Sequence, residues 1–166
     1  LKPLRTGWVV QGSFVREFEE KWCEYTGSKN SVAVSNCTTA LHLSLAALGI
    51  GPGDEVIVPS FTWIATANAV EYLGAKPVLC DIDIRTFNID TEQIAGQLTK
   101  KTKAIVPVHL FGLSADMEKV MEFAKEHRLS VIEDAACGFG AQYKGIHVGN
   151  FGKTGCFSFH PRKAIT

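Results

Sequence analysis

Two hydrophobic rhythms alternate along this chain. Phe14, Val15, Phe18, Trp22 and Tyr25 recur at helical spacing after an irregular opening with Gly7, Trp8, Gln11 and Gly12, and Gly27 follows as a stop signal. The segment SVAVS (31–35) reads as a short buried strand that runs through Asn36, Cys37, Thr38 and Thr39 into the helical stretch ALHLSLAAL. A turn cluster at 49–54 (GIGPGD) leads to the strand EVIVPS, and residues 63–73 read as a helix closed by Gly74. The alternation continues with a strand over 77–81, a helix from a capping pattern at 90–93 to Leu98, and an apolar strand over 103–108. A helix marked by Met117, Val120, Met121 and Ala124 follows, then strands around 130–132 and 155–159. Roughly six strands alternating with about five helices predict a mainly parallel sheet covered on both faces. In such sheets ligands bind beyond the carboxyl ends of the strands, so the segments just after the strands are where chemistry is expected.

Composition narrows the class. At 166 residues, 46% hydrophobic and 20% charged, the chain is long enough for one domain with a substantial core. Its 17 basic and 17 acidic residues are interspersed, so neither a nucleic-acid face nor a membrane-binding helix is predicted, and small molecules or protein remain as partners. Cys23, Cys37, Cys80, Cys137 and Cys156 are odd in number and lack paired spacing, which fits reduced thiols in a cytoplasmic protein. No apolar run reaches the roughly 18 residues of a membrane span, and the opening Leu-Lys-Pro-Leu-Arg lacks signal-peptide character. A start without methionine and an end directly after a strand-and-turn pattern predict a fragment incomplete at both ends.

The strand exits carry the candidate chemistry. Thr38 and Thr39 open a helix, where free amides and the helix dipole favour an anion such as a phosphate; a threonine serving only as helix cap is the plainer alternative. Asp134 ends the buried-looking strand SVIED, and its carboxylate needs either a cation, such as a pyridinium nitrogen, or loop amides to offset desolvation. Glu133 is the poorer candidate, because neighbouring strand residues point to opposite faces. Lys163 follows the apolar strand GCFSF beside Arg162, a setting that lowers an amine's proton affinity and suits a Schiff base, against the alternative of a solvated surface lysine. Trp63 can stack on a flat ring or serve as ordinary core. His109 and His160 read as structural, and no ligand-spaced cluster suggests a metal.

Together these stretches resemble a known family. SNCTTALHLSLAALGIGPGDEVIVPSFTWIATANAV, PVHLFG, VIEDAACGFGAQYKG and VGNFGKTGCFSFHPRKAIT are similar, in order and separation along nearly the whole chain, to the DegT/StrS family of sugar aminotransferases. The resemblance implies an α/β three-layer sandwich, the large cofactor-binding domain of the aspartate aminotransferase (type I) fold, with residues 1–166 lying in that domain and a carboxy-terminal small domain absent. It implies pyridoxal 5'-phosphate as cofactor, carried by Lys163 through a Schiff base, with Asp134 at the pyridine nitrogen, Trp63 against the ring, and Thr38, Thr39 and Ser158 at the phosphate. By the same resemblance, glutamate donates an amino group that is passed to a nucleotide-linked keto-sugar for polysaccharide biosynthesis. The resemblance further implies a cytoplasmic homodimer whose active site takes residues from the second subunit and the carboxy-terminal part.

One position departs from the pattern. Three residues after Asp134, where the family usually has histidine or glutamine near the ring oxygen of the cofactor, stands Cys137, a weaker hydrogen-bond donor. A related branch that dehydrates sugars replaces the anchoring lysine by histidine, so Lys163 favours transfer. A nucleotide-binding module without covalent chemistry is the alternative from another class, but no GxGxxG or GxxxxGK turn follows any strand.

Overall fold

The computed structural model of the chain describes residues 2–8 and 10–163, which form two compact units divided between Val34 and Ser35. The first unit holds a short helix α1 (Lys2–Thr6) and the expected amphipathic helix α2 (Ser13–Thr26). Gly27 ends α2 in the left-handed conformation, φ 75°, its amide bonded to the Cys23 carbonyl at 2.8 Å, a geometry that disfavours a side chain. The strand expected over 31–35 does not form. Its Ala33 amide is taken by the Glu19 carboxylate at 2.7 Å and its Ser31 hydroxyl donates to the Glu19 carbonyl at 2.7 Å. β-propensity alone makes no ladder where a side chain, and not a second strand, answers the backbone.

In the second unit a five-stranded parallel sheet has the order β2-β1-β3-β4-β7, with β1 Glu55–Pro59, β2 Lys76–Cys80, β3 Thr102–Ile105, β4 Ser130–Ala135 and β7 Thr154–Phe157. Helices α3 (Cys37–Ala47) and α4 (Ala65–Glu71) cover one face, and α5 (Met117–His127) the other. Strand alternation distributes the core accordingly. Val56, Val58, Ala104, Val106 and Ile132 pack with Leu41, Leu45 and Val70, while Ile57, Ile105 and Val131 pack with Met117, Val120 and Ala124. Each fully buried aliphatic side chain contributes about 1.5–3 kcal/mol, so these two layers carry most of the stability of this unit. The three-layer α/β arrangement expected from the alternation is therefore present.

Local chemistry alters two expected elements and adds a third that the pattern did not predict. The helix expected over 90–98 shrinks to a 3-10 turn, Ile94–Gln97, because Asp90 spends its side chain on the Glu92 amide (3.0 Å) and the Gln93 amide group (2.8 Å) and so holds a turn. Strand β3 stops at Ile105, short of Val108, since Pro107 has no amide to donate. The carbonyl of Pro107 instead accepts the Asp134 amide at 2.9 Å, and the Asp134 carbonyl accepts the His109 amide at 3.0 Å. A hairpin absent from the expectation pairs β5 (Gln142–Tyr143) with β6 (Ile146–His147). Its turn residues Lys144 (φ 50°) and Gly145 (φ 81°) are both left-handed, the geometry that two-residue hairpins require.

Glu133 ties the approach to β7. Fully buried, its carboxylate accepts the amides of Gly149 (2.7 Å), Phe151 (2.8 Å) and Gly152 (2.8 Å). The fourth donor is His109 Nε2 at 3.0 Å, because Nδ1 of that ring accepts the Ala115 amide at 3.2 Å. The same segment depends on close backbone packing: a Cβ on Gly152 would run into the Val131 carbonyl, and one on Gly155 into the Gly149 backbone.

Two outcomes follow for the full-length protein. Gly155→Ala is expected to lower stability by about 2–4 kcal/mol in denaturant titration, while Gly96→Ala, whose added methyl meets nothing, stays within about 0.5 kcal/mol of wild type. Glu133→Gln is expected to cost about 3 kcal/mol or more, since its amide group would face donors. Wild-type stability in either destabilised variant would overturn this account of the β7 approach.

Candidate active site

Parallel pairing puts the carboxyl ends of β4 and β7 at one edge. Asp134 is aligned with Cys156 and Ala135 with Phe157, so Asp134 near the end of β4 and Ser158 just past β7 leave the sheet together. Helix α3 packs on these two strands, its Ser44 hydroxyl 3.3 Å from the Cys156 sulfur. Its first residue, Cys37, lies in the electrostatic reach of Asp134, Cys137 and Lys163.

The residues that converge are therefore Asp134, Cys137, Lys163 and Cys37, with Thr38 and Thr39 next in line on α3. Asp134 is 4% exposed. Its carboxylate accepts the Thr66 hydroxyl at 2.8 Å and the Ala136 amide at 3.1 Å, and among the described residues no cation pairs with it within 4.0 Å. Burial pushes its carboxyl above the usual carboxylate range, against the pull of those two hydrogen bonds and of the nearby Lys163 amine. Lys163, half-buried, directs its amine to the Cys137 sulfur at 3.2 Å. Its own amide donates to the His160 carbonyl at 2.8 Å, which fixes the turn that carries it. Burial pushes the thiols of Cys37 and Cys156 up, the latter to about 12.

The phosphate candidates divide. Asn36, and not a threonine, caps α3: its side chain accepts the Thr39 amide at 2.9 Å. The Thr39 hydroxyl contacts Ser35 Oγ and Asn36 Oδ1, each at 3.2 Å, and Thr38 keeps its hydroxyl uncommitted among the described residues. Ser158 accepts the His160 amide at 3.4 Å. Trp63 is 77% exposed, so it is not ordinary core, and its backbone carbonyl is tied to the site through Thr66.

Sequence reading missed two members of this group. Thr66, 1% exposed, relays a hydroxyl chain from Thr62 (3.0 Å) to Asp134, and the only trace of it in the sequence is a threonine among the apolar residues of α4. Cys37 gave no signal beyond its place before Thr38. The grouping is carried by the Lys163–Cys137 contact and by the electrostatic proximity of Cys37 and Asp134 to that pair. A cavity of about 590 Å³ lies elsewhere, between residues 82–86 and 88–92, Leu113, Ser114, Asp116, Lys119 and Tyr143, and none of the expected site residues lines it.

Known proteins share both sequence and fold. GDP-perosamine synthase of Caulobacter vibrioides is 52% identical over 167 residues, an alignment that takes in 100% of this chain and 45% of that protein. This chain thus spans less than half the length of that curated relative. Among solved structures, the aminotransferase from Psychrobacter cryohalolentis superposes with a TM-score of 0.92 at 48% identity, over 93% of this chain and 39% of that one. Spr1654 from Streptococcus pneumoniae, solved in a PMP-form and a PLP-form, gives 0.96 at 33% identity for both, over 99% of this chain and 46% of that one. The sequence also matches, over residues 2–166, the DegT/DnrJ/EryC1/StrS aminotransferase family, and the chain belongs to that family.

Proposed function

We propose that the full-length protein is a pyridoxal-phosphate-dependent aminotransferase that moves an amino group from an amino acid, glutamate by family habit, to the keto group of a nucleotide-linked sugar. The observation that carries this reading is Asp134: a buried carboxylate with no cation within 4.0 Å among the described residues, in the same cluster as the Lys163 amine and the start of α3. Relatives named GDP-perosamine synthase, at 52% and 47% identity, support the nucleotide-linked sugar, and the PLP- and PMP-forms of the pneumococcal neighbour support the cofactor.

These residues fit the group. A protonated ring nitrogen is the cation that the Asp134 carboxylate lacks, and the first amides of an 11-residue helix, with the hydroxyls of Thr38, Thr39 and Ser158, suit a phosphate. The exposed Trp63 ring offers a flat face, and Cys137 stands beside the amine. When bound, pyridoxal phosphate supplies an aldehyde that condenses with amines and a ring that accepts the electron pair left when the adjacent carbon loses a proton. Lys163 in its neutral form would hold that aldehyde, and its amine would take and return the proton at the donor's alpha carbon. Asp134 keeps the ring nitrogen protonated through its negative charge. We read residues 1–166 as part of the cofactor-binding large domain and a second copy of the protein as the other half of the site. We read the cytoplasm as its place; among the described residues no helix is long and apolar enough to cross a membrane.

Full-length protein incubated with pyridoxal phosphate is expected to gain visible absorbance and, after borohydride reduction, a cofactor adduct on the peptide that contains Lys163. Lys163→Ala should lose both the adduct and amino transfer, and an unchanged adduct would remove Lys163 from its role. Asp134→Asn has two expected effects. Since burial raises the carboxyl's pKa in the fold, the cofactor-free protein loses stability as pH rises from the ordinary carboxylate range through that raised value. The amide variant escapes this loss and should melt higher at neutral pH, while its amino transfer falls by ~100-fold or more. Cofactor-free wild type that melts no lower than the variant would contradict the burial argument, and normal turnover would contradict the role.

A further inference from the structure

Cys137 and Lys163, 26 residues apart in the chain, meet at 3.2 Å between sulfur and amine nitrogen. Both are held by short turns. The Gly138 amide closes the turn after Asp134 on the Ala135 carbonyl at 2.8 Å, and the Lys163 amide closes its own turn on the His160 carbonyl at 2.8 Å. A side chain on Gly138 would meet Val148 at 2.9 Å and Ala135 at 3.2 Å, so the backbone beside Cys137 has little freedom.

The other thiols in this unit are placed differently. Burial pushes Cys37, Cys80 and Cys156 up, Cys80 to about 11, which keeps them protonated and poorly nucleophilic. Cys80 and Cys156 are also shut off from solvent, and their polar contacts are a backbone carbonyl and a hydroxyl. Cys137 is half-buried, open to a small oxidant, and has an amine in contact.

We propose that Cys137 and Lys163 are an oxidisable pair that a hydroperoxide joins through a sulfur–nitrogen bond. In the first step the thiol sulfur attacks the peroxide; the O–O bond breaks, one oxygen stays on sulfur as a sulfenic acid, and the other leaves as water or alcohol. Sulfur loses two electrons and the peroxide gains them. In the second step the neutral Lys163 amine attacks that sulfur, the S–O bond breaks, and the departing hydroxide leaves as water with a proton from the amine. The protein loses two hydrogens in all. A small thiol reverses the link by attacking sulfur, which frees the amine; a second thiol restores Cys137. The consequence rests on the reading of Lys163 as the cofactor-bearing amine: the oxidised pair has no free amine to take up cofactor, and cofactor already on the lysine protects it.

The test uses full-length protein stripped of cofactor, treated with hydrogen peroxide at mildly alkaline pH, alkylated without reductant and digested. The expected product is a joined pair of peptides containing Cys137 and Lys163, about 2 Da lighter than their sum and separated by dithiothreitol. It should be absent from Cys137→Ala and Lys163→Arg and suppressed by prior loading with cofactor. Cys137 recovered free or only as sulfinic acid, with Lys163 still cleaved by trypsin, overturns the inference. Borohydride trapping of cofactor on parallel samples separates the two ideas. An adduct at Lys163 without any joined peptide defeats the pair and leaves the functional reading intact; a joined peptide with the adduct on another lysine supports the pair and defeats that reading.

Discussion

Two carboxylates sit side by side in the buried end of β4, and their unequal treatment organises the second unit. Strand geometry sends Glu133 and Asp134 to opposite faces. Glu133 is satisfied by three amides and one imidazole N–H, the compensation that a charge removed from water demands. Asp134 receives, among the described residues, a hydroxyl and one amide. One residue is spent on structure, and the next retains an electrostatic demand that a bound cation would meet.

The two roles are mechanically linked. By holding the Gly149–Gly152 segment, Glu133 fixes the entry to β7, and β7 delivers Ser158 and the turn with Lys163 to the edge where Asp134 emerges. Glycine at 152 lets this segment lie against β4, and glycine at 155 lets β7 lie against the Gly149 backbone, at distances that no side chain permits. His109 joins the second approach to the same hub, since its ring spans Glu133 and the Ala115 amide while its backbone bonds the Asp134 carbonyl. A buried structural pair thus sets the relative placement of an amine, a carboxylate and a helix start. Helix α3 adds the third side: it begins at the same edge and leans on β7 through Ser44 and Cys156.

Much of this was legible in the residues. Periods of 3.6 and 2 located α2 to α5 and the sheet strands to within a few residues, because each reports burial of a single face and needs no knowledge of partners. The strand-exit rule singled out Thr38, Thr39, Asp134 and Lys163 by position, the family resemblance added Ser158, and alternation separated Asp134 from Glu133. Other features depend on what lies across from a residue, and these the pattern could not contain. Residues 31–35 carry strand-forming side chains, yet a carboxylate from α2 answers their backbone. Asp90 looked like a helix cap and makes a turn, and Asn36 takes the capping place that Thr38 or Thr39 could have filled.

The sequence by itself determined the class of fold, the elements with strong periodicity and the residue types available at the strand exits. Those follow from local geometry and from the need to bury apolar surface. Only the tertiary structure decided the strand order, the hydroxyl relay from Thr62 through Thr66 to Asp134, the four-donor cage around Glu133, and the contact of Cys137 with Lys163. The physical reason is range. Periodicity is a property of neighbours in the chain, whereas hydrogen-bond satisfaction inside a core is settled by groups tens of residues apart that meet only once the sheet has assembled.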